Sequence, residues 1–235
     1  MNGKKIAIVA LIVALIFFFG APRLTRAQES KTQYPSMAPL EQYLMDRNAE
    51  IALARSAAPD SISRDAKVLV LTRYGYETAV EGKNGFVCIV ERSWVVLFDD
   101  PEFWNPKIRG PICYNPPAAR SVLAITLKRT EMVFAGLSPA EMNQGLRAAV
   151  DKKELQAPEP GALGYMMSKD QYLGDPWGHW HPHLMFVVPH TDDIVWGAGL
   201  PNSPIIVGAQ RTPEPVTIFV VPVGKWSDGT AGPAM

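Results

Sequence analysis

Prolines stand at positions 101, 106, 111, 116 and 117, so that between Asp99 and Pro117 no run of more than four residues escapes one. Proline fixes φ and lacks a backbone donor, which bars it from helix interiors and from the middle of paired strands. This segment therefore reads as an ordered loop, and it divides the chain into two halves that must each build regular structure from short pieces. The chain carries 21 prolines and 18 glycines, and its β-type runs are all short and bounded by them.

Before the loop, "SMAPLEQYLMDRNAEIALARSA" predicts a helix, with Ser36 or Ala38 ahead of Pro39 in the first turn, with Leu40, Leu44, Ile51 and Ala54 roughly on one face, and with Pro59 as its stop. "KVLVLTRYGYETAVEGKNGFVCIVERSW" then predicts three antiparallel strands, with a turn at Gly75 and a hairpin at "GKNG". Beyond the loop, Leu123, Leu127 and Phe134 suit a helix with Gly136 past its end. A second helix opens on a capping box, in which Ser138 caps, Pro139 takes the first helical position and Glu141 sits three residues on. "GALGYMMS", "HLMFVVP", "PIIVG" and "VTIFVVPVG" return to strands. The expected fold class is α+β: an antiparallel sheet with an amino-terminal helix and a central helix pair packed on it.

The amino terminus sets the compartment. Lys4 and Lys5 precede an unbroken apolar run from Ile6 to Phe19, and the first acidic residue is Glu29, the pattern of an export signal. Fourteen apolar residues fall short of the roughly 20 needed to span a bilayer, which favours a cleaved signal. Thr25 and Ala27 are the small residues wanted before a cut after position 27, while Arg23 and Arg26 in the spacer are what a retained amino-terminal anchor would show. The chain thus divides into a signal peptide (1–27), a linker (28–35) and a single domain (36–235), placed in the periplasm or outside the cell. Membrane attachment is expected only through a retained amino-terminal segment. Removing residues 1–27 takes away four basic groups and no acidic ones, leaving 19 basic against 23 acidic, a formal charge of −4. No basic stripe remains to bind nucleic acid, so that class is excluded. Cys88 and Cys113 are the chain's two cysteines, and in an oxidising compartment they are expected to pair and tie the proline-rich loop to the sheet.

"GHWHPH" (178–183) holds His179, His181 and His183 at alternate positions. On an extended strand alternate side chains share a face, so these three are candidate ligands for zinc or copper, the metals imidazole suits. His190 lies seven residues beyond His183, an odd offset, and is the weak candidate for a fourth ligand. Against a metal stand Trp180 and Pro182 inside the run and the absence of a diagnostic carboxylate spacing; a rigid aromatic loop with backbone-bonded histidines fits the same residues. Trp177, Trp180, Trp196 and Trp226 are candidates to line an apolar or sugar-stacking pocket. No nucleophile elbow, phosphate loop, C-x-x-C, H-E-x-x-H or dinucleotide fingerprint is present.

"EGKNGFVCIVER", "GPICYNPP" and "HPHLMFVVP" together resemble a group of exported bacterial proteins that carry no assigned activity. That resemblance implies export and a shared fold, and it assigns no functional residue. The function expected is a binding module for a metal ion or small ligand. A metal-dependent enzyme and a structural or partner-binding envelope protein stand as its alternatives.

Overall fold

The structure is a computed structural model and describes residues 33–209 and 212–234. The expected signal peptide and the linker up to residue 32 lie outside the described residues. Eight strands form one sheet: β1 (Lys67–Thr72), β2 (Gly75–Val80), β3 (Val87–Glu91), β4 (Gly110–Tyr114), β5 (Leu163–Met166), β6 (His183–Val188), β7 (Ile206–Ala209) and β8 (Thr217–Pro222), in the spatial order β2-β1-β3-β4-β5-β6-β8-β7. Helices α1 (Arg47–Arg55), α2 (Asp60–Ser63), α3 (Pro116–Ser121), α4 (Leu123–Phe134) and α5 (Pro139–Asp151) complete an α+β fold.

The sheet is mixed, which corrects the expectation of an antiparallel one. β1 and β2 form the hairpin at Gly75, but β3 pairs with β1 in parallel, Lys67 opposite Val87 and Val68 opposite Cys88. "GKNG" is therefore a crossing and not a hairpin. It passes beneath the start of β1, where Lys83 N donates to Asp65 O (2.8 Å) and Lys67 N to Phe86 O (2.9 Å). Asn84 anchors the crossing by donating to Ile62 O (2.7 Å) and accepting from Phe86 N (3.1 Å). A Cβ at Gly82 would overlap the backbone nitrogen of Lys67, so the close approach requires glycine.

Two other readings change. The first long helix is divided, because Asp46 accepts from Asn48 N and Ala49 N (3.0 Å each) and so caps α1 in the middle of the predicted span, leaving a short 3-10 turn at Leu40–Gln42. The proline-rich segment contains a central strand. Pro111 is accommodated in β4 opposite Val90, because β5 pairs only with Cys113 and Tyr114 and leaves that end of β4 open on its other side.

Strand parity sorts the core. Val68, Val70, Cys88, Val90 and Cys113 face Ala54 of α1 and Ala57 and Ala58 of the turn that follows it. Leu69, Ile89, Ile112, Tyr114 and Met166 face Val122 and Leu123 of the α3–α4 segment. A third cluster, with Trp94, Phe103, Trp104, Met142 and Leu146, joins α4, α5 and the proline-rich loop at one end of the sheet. Ser138 forms the capping box with Glu141 at the head of α5. Among the described residues no helix is long and apolar enough to cross a membrane.

Candidate functional site

The segment from Ser168 to Pro182 connects β5 to β6 and packs against the proline-rich loop. Arg109 and Tyr172 exchange backbone hydrogen bonds (2.8 and 2.9 Å), which fixes one to the other. Gly174 to Gly178 then form a tight turn, with Gly178 N donating to Gly174 O (2.7 Å) and Leu173 N to Gly178 O (2.9 Å). Both glycines have positive φ, 117° and 55°.

Polar side chains brace this turn at both ends. At its start, the Asp175 carboxylate accepts from the hydroxyls of Tyr34 (2.8 Å) and Tyr172 and pairs with Lys107 (3.8 Å). These donors hold the Asp175 carboxyl below the usual carboxylate range, the Tyr172 hydroxyl first, and the carboxylate pushes the Tyr172 phenol up to about 12. Buried Glu102 accepts from Asp175 N (3.0 Å) and from Asn105 Nδ2 (2.5 Å). At its far end, fully buried Gln171 donates to Trp180 O (2.6 Å) and His181 O (3.3 Å).

What the braced turn presents is aromatic. Trp177 is 61% exposed, and its ring meets that of Trp180 edge-on at 6.2 Å. His179 is exposed and lies edge-on to Tyr172 at 6.2 Å. Trp180 in turn packs on His181 (5.9 Å) and His183 (4.9 Å).

The histidines do not share a strand face. Only His183 belongs to β6; His179 to Pro182 lie in the irregular approach to it, where Pro182 offers no donor. His183 is 3% exposed and stands opposite Met166 and Pro222. Its Nδ1 lies 2.8 Å from His181 O; because a carbonyl can only accept, Nδ1 carries the proton and Nε2 keeps the lone pair. Burial lowers the His183 pKa to about 4, so the ring is neutral at physiological pH. Nδ1 of His181 is buried without a hydrogen-bond partner among the described residues. His190 follows the opposite end of β6, roughly 20 Å of strand away at 3.3 Å per residue, and is removed as a partner of the other three. Among the described residues no three His, Cys, Asp or Glu side chains form a group that could hold a metal ion.

The tryptophans separate in the same way. Trp177 and Trp180 meet, and half-buried Trp226 lies in a carboxy-terminal turn at the same sheet end, where Ser227 N donates to Met167 O (2.9 Å) and Val223 N to Pro182 O (2.8 Å). Trp196 stacks on Phe219 (4.8 Å) in the segment that leaves the other end of β6. The four do not line one pocket. Sequence reasoning missed Tyr34, Glu102, Lys107, Gln171, Tyr172 and Asp175. The Gly-Asp-Pro-Trp-Gly string was a turn signal for Asp175, but a partner such as Tyr34, 141 positions away, leaves no local trace. The chain matches no protein-family model, no curated protein and no solved structure.

Proposed function

We propose that the chain is an exported binding domain whose recognition surface is the Gly174–His183 loop. The observation that carries this reading is the combination of a backbone locked by buried Gln171 and Glu102 with a tryptophan, Trp177, turned out to solvent. Gln171 gives its amide donor to the loop while its Oε1 and the Nδ1 of His181 stay buried without a partner among the described residues, a polar cost that a loop serving only as a connection has no reason to carry. A rigid scaffold presenting an amphipathic aromatic side chain is what a preorganised binding surface requires. Export is supported by the basic-then-apolar amino terminus and by a disulfide of the sort that persists in oxidising compartments.

The test is tryptophan emission of the purified 28–235 chain against a panel of ZnCl₂, CuCl₂, phosphocholine and soluble oligosaccharides. A saturable change lost in Trp177→Ala and kept in Trp196→Phe supports the loop as the binding face. A panel that leaves emission unchanged, or a response equal in Trp177→Ala, removes it.

A second reading keeps the metal. The fixed tautomer of His183 leaves Nε2 as a bare donor, and metal-bound imidazoles commonly donate their other nitrogen to a backbone carbonyl in this way. His179 and His181 are its nearest partners in the chain, with zinc or copper as the ion. Elemental analysis of untagged protein and a Zn²⁺ titration of wild type against His183→Ala decide it; equal uptake by the two proteins ends the metal reading.

A further inference from the structure

We infer that the ligand of this loop is a neutral glycan, stacked by a pyranose face on Trp177 with its hydroxyls on Asp175, Lys107 and His179; the inference rests on the reading of the loop as a binding face. Shape and charge together point to this class of ligand. An apolar small molecule needs an enclosing cleft that covers most of its surface. Two surface cavities share Phe98, Asp99 and Pro139; one of them reaches Tyr34 beside Asp175, but neither is lined by Trp177 or Trp180, so the indole is not enclosed by either. An open indole instead suits a ligand that offers one flat C–H face and keeps its remaining surface hydrated, which describes a sugar ring.

Charge narrows the class further. A quaternary ammonium would use two perpendicular indoles as walls and a carboxylate behind them. Here the charge of Asp175 is already countered by Lys107 (3.8 Å), which leaves little for a cation, while the two tyrosine hydroxyls on its oxygens leave acceptor lone pairs for a further hydroxyl. An anion would meet Lys107 only with Asp175 3.8 Å beside it. A neutral ligand with vicinal hydroxyls uses both members of such a pair, one hydroxyl donating to the carboxylate and its neighbour accepting from the ammonium. Exposed Lys107 and His179 add donors that adapt to hydroxyl positions.

The experiment titrates the 28–235 chain with cellohexaose, chitohexaose and maltohexaose, following tryptophan emission and heat, with phosphocholine and ZnCl₂ as comparison ligands. At least one hexasaccharide is expected to bind saturably. Trp177→Ala should weaken it at least tenfold, Trp177→Phe should recover part of the loss, and Lys107→Ala should weaken it several-fold with the circular dichroism unchanged. Binding of phosphocholine or Zn²⁺ that depends on Trp177, with no response to any hexasaccharide, overturns the glycan and leaves the binding face standing. Silence towards every ligand overturns both, and glycan binding that survives Trp177→Ala overturns the stacking geometry.

Discussion

Two adjacent residues at the end of β3 show how much one position of strand parity decides. Glu91 turns toward α4, where Tyr114 Oη (2.6 Å) and Thr126 Oγ1 (2.8 Å) both donate to it. Arg92 turns toward α1, where it pairs with fully buried Glu50 (2.8 Å) and donates to Tyr43 O (2.7 Å). A slip of one residue would bury each charge against the wrong partner, so this pair pins the register of the sheet. Removing one member of a buried pair strands the other: Arg92→Met should cost about 3–5 kcal/mol, while Glu50→Gln with Arg92→Met should cost less than the two single changes together. Urea unfolding of the three variants measures this, and additive losses would mean that the pair is not coupled. His183 adds a pH dependence. Burial first, then the neighbouring His181 charge, hold its pKa near 4 against 6.5 in the unfolded chain, with the bond to His181 O working the other way. Between those values the unfolded state binds more protons, so stability is full above pH 6.5 and is lost as pH falls toward 4, by on the order of 3 kcal/mol from this group. Glu91 works in the opposite sense, its carboxyl raised by burial, so its stabilisation is present at low pH and lost as pH rises. The difference between wild type and His183→Gln isolates the histidine: thermal midpoints at pH 7.5 and 5.0 should differ less in the variant, and an unchanged difference would contradict the assignment.

At the scale of elements, what was legible in the sequence was whatever local chemistry decides. The capping box at Ser138 and the turn at Gly75 each depend on residues within a few positions of one another. What was hidden depends on distant partners. "GKNG" carries a hairpin signal, yet the neighbour that claims β3 is β1, reached by a crossing held to Asp65 and Ile62. Pro111 argues against a strand until it is known that β5 stops short of it. The shared face expected of the alternating histidines is absent for a related reason: alternation implies a shared face only within a strand, and the strand begins at the last of the three. The crossing offers a sharp test. Gly82→Ala places a methyl group against the backbone of Lys67, where nothing flexible can yield, so it should cost roughly 1–3 kcal/mol, as overpacking does, and loosen the β1–β3 pairing. Gly136→Ala, at a position with open space but φ of 77°, is the comparison for backbone strain alone. Amide hydrogen exchange should accelerate at Lys67 and Val68 in Gly82→Ala and not in Gly136→Ala; equal effects at the two positions would place the constraint in backbone strain and not in the crossing.

For the molecule as a whole, the disulfide ties together parts that the chain order separates. Cys88 and Cys113 are bonded, and they sit directly opposite one another on β3 and β4, both fully buried beneath α1. The bridge therefore joins two paired strands at the centre of the sheet and closes over the proline-rich loop, in place of mooring a free loop to an edge. Two consequences follow from that position. In the chain-entropy account, a link across 25 residues limits the unfolded ensemble and contributes about 3 kcal/mol. Because the sulfurs are shielded by α1 on one side and by neighbouring strands on the others, a thiol reductant can reach them only when the sheet opens. Reduction in native buffer should then be slow and should track global unfolding, with cysteine alkylation appearing over the same urea range as the loss of circular dichroism. The Cys88→Ala, Cys113→Ala protein should fold with the same sheet and a lower urea midpoint, and its proline-rich loop should be cut by trypsin at Lys107 and Arg109 only as fast as the whole domain unfolds. Early cleavage there, in a protein that keeps its circular dichroism, would show that the bridge governs the loop locally, and would also predict loss of the Asp175 brace through Lys107.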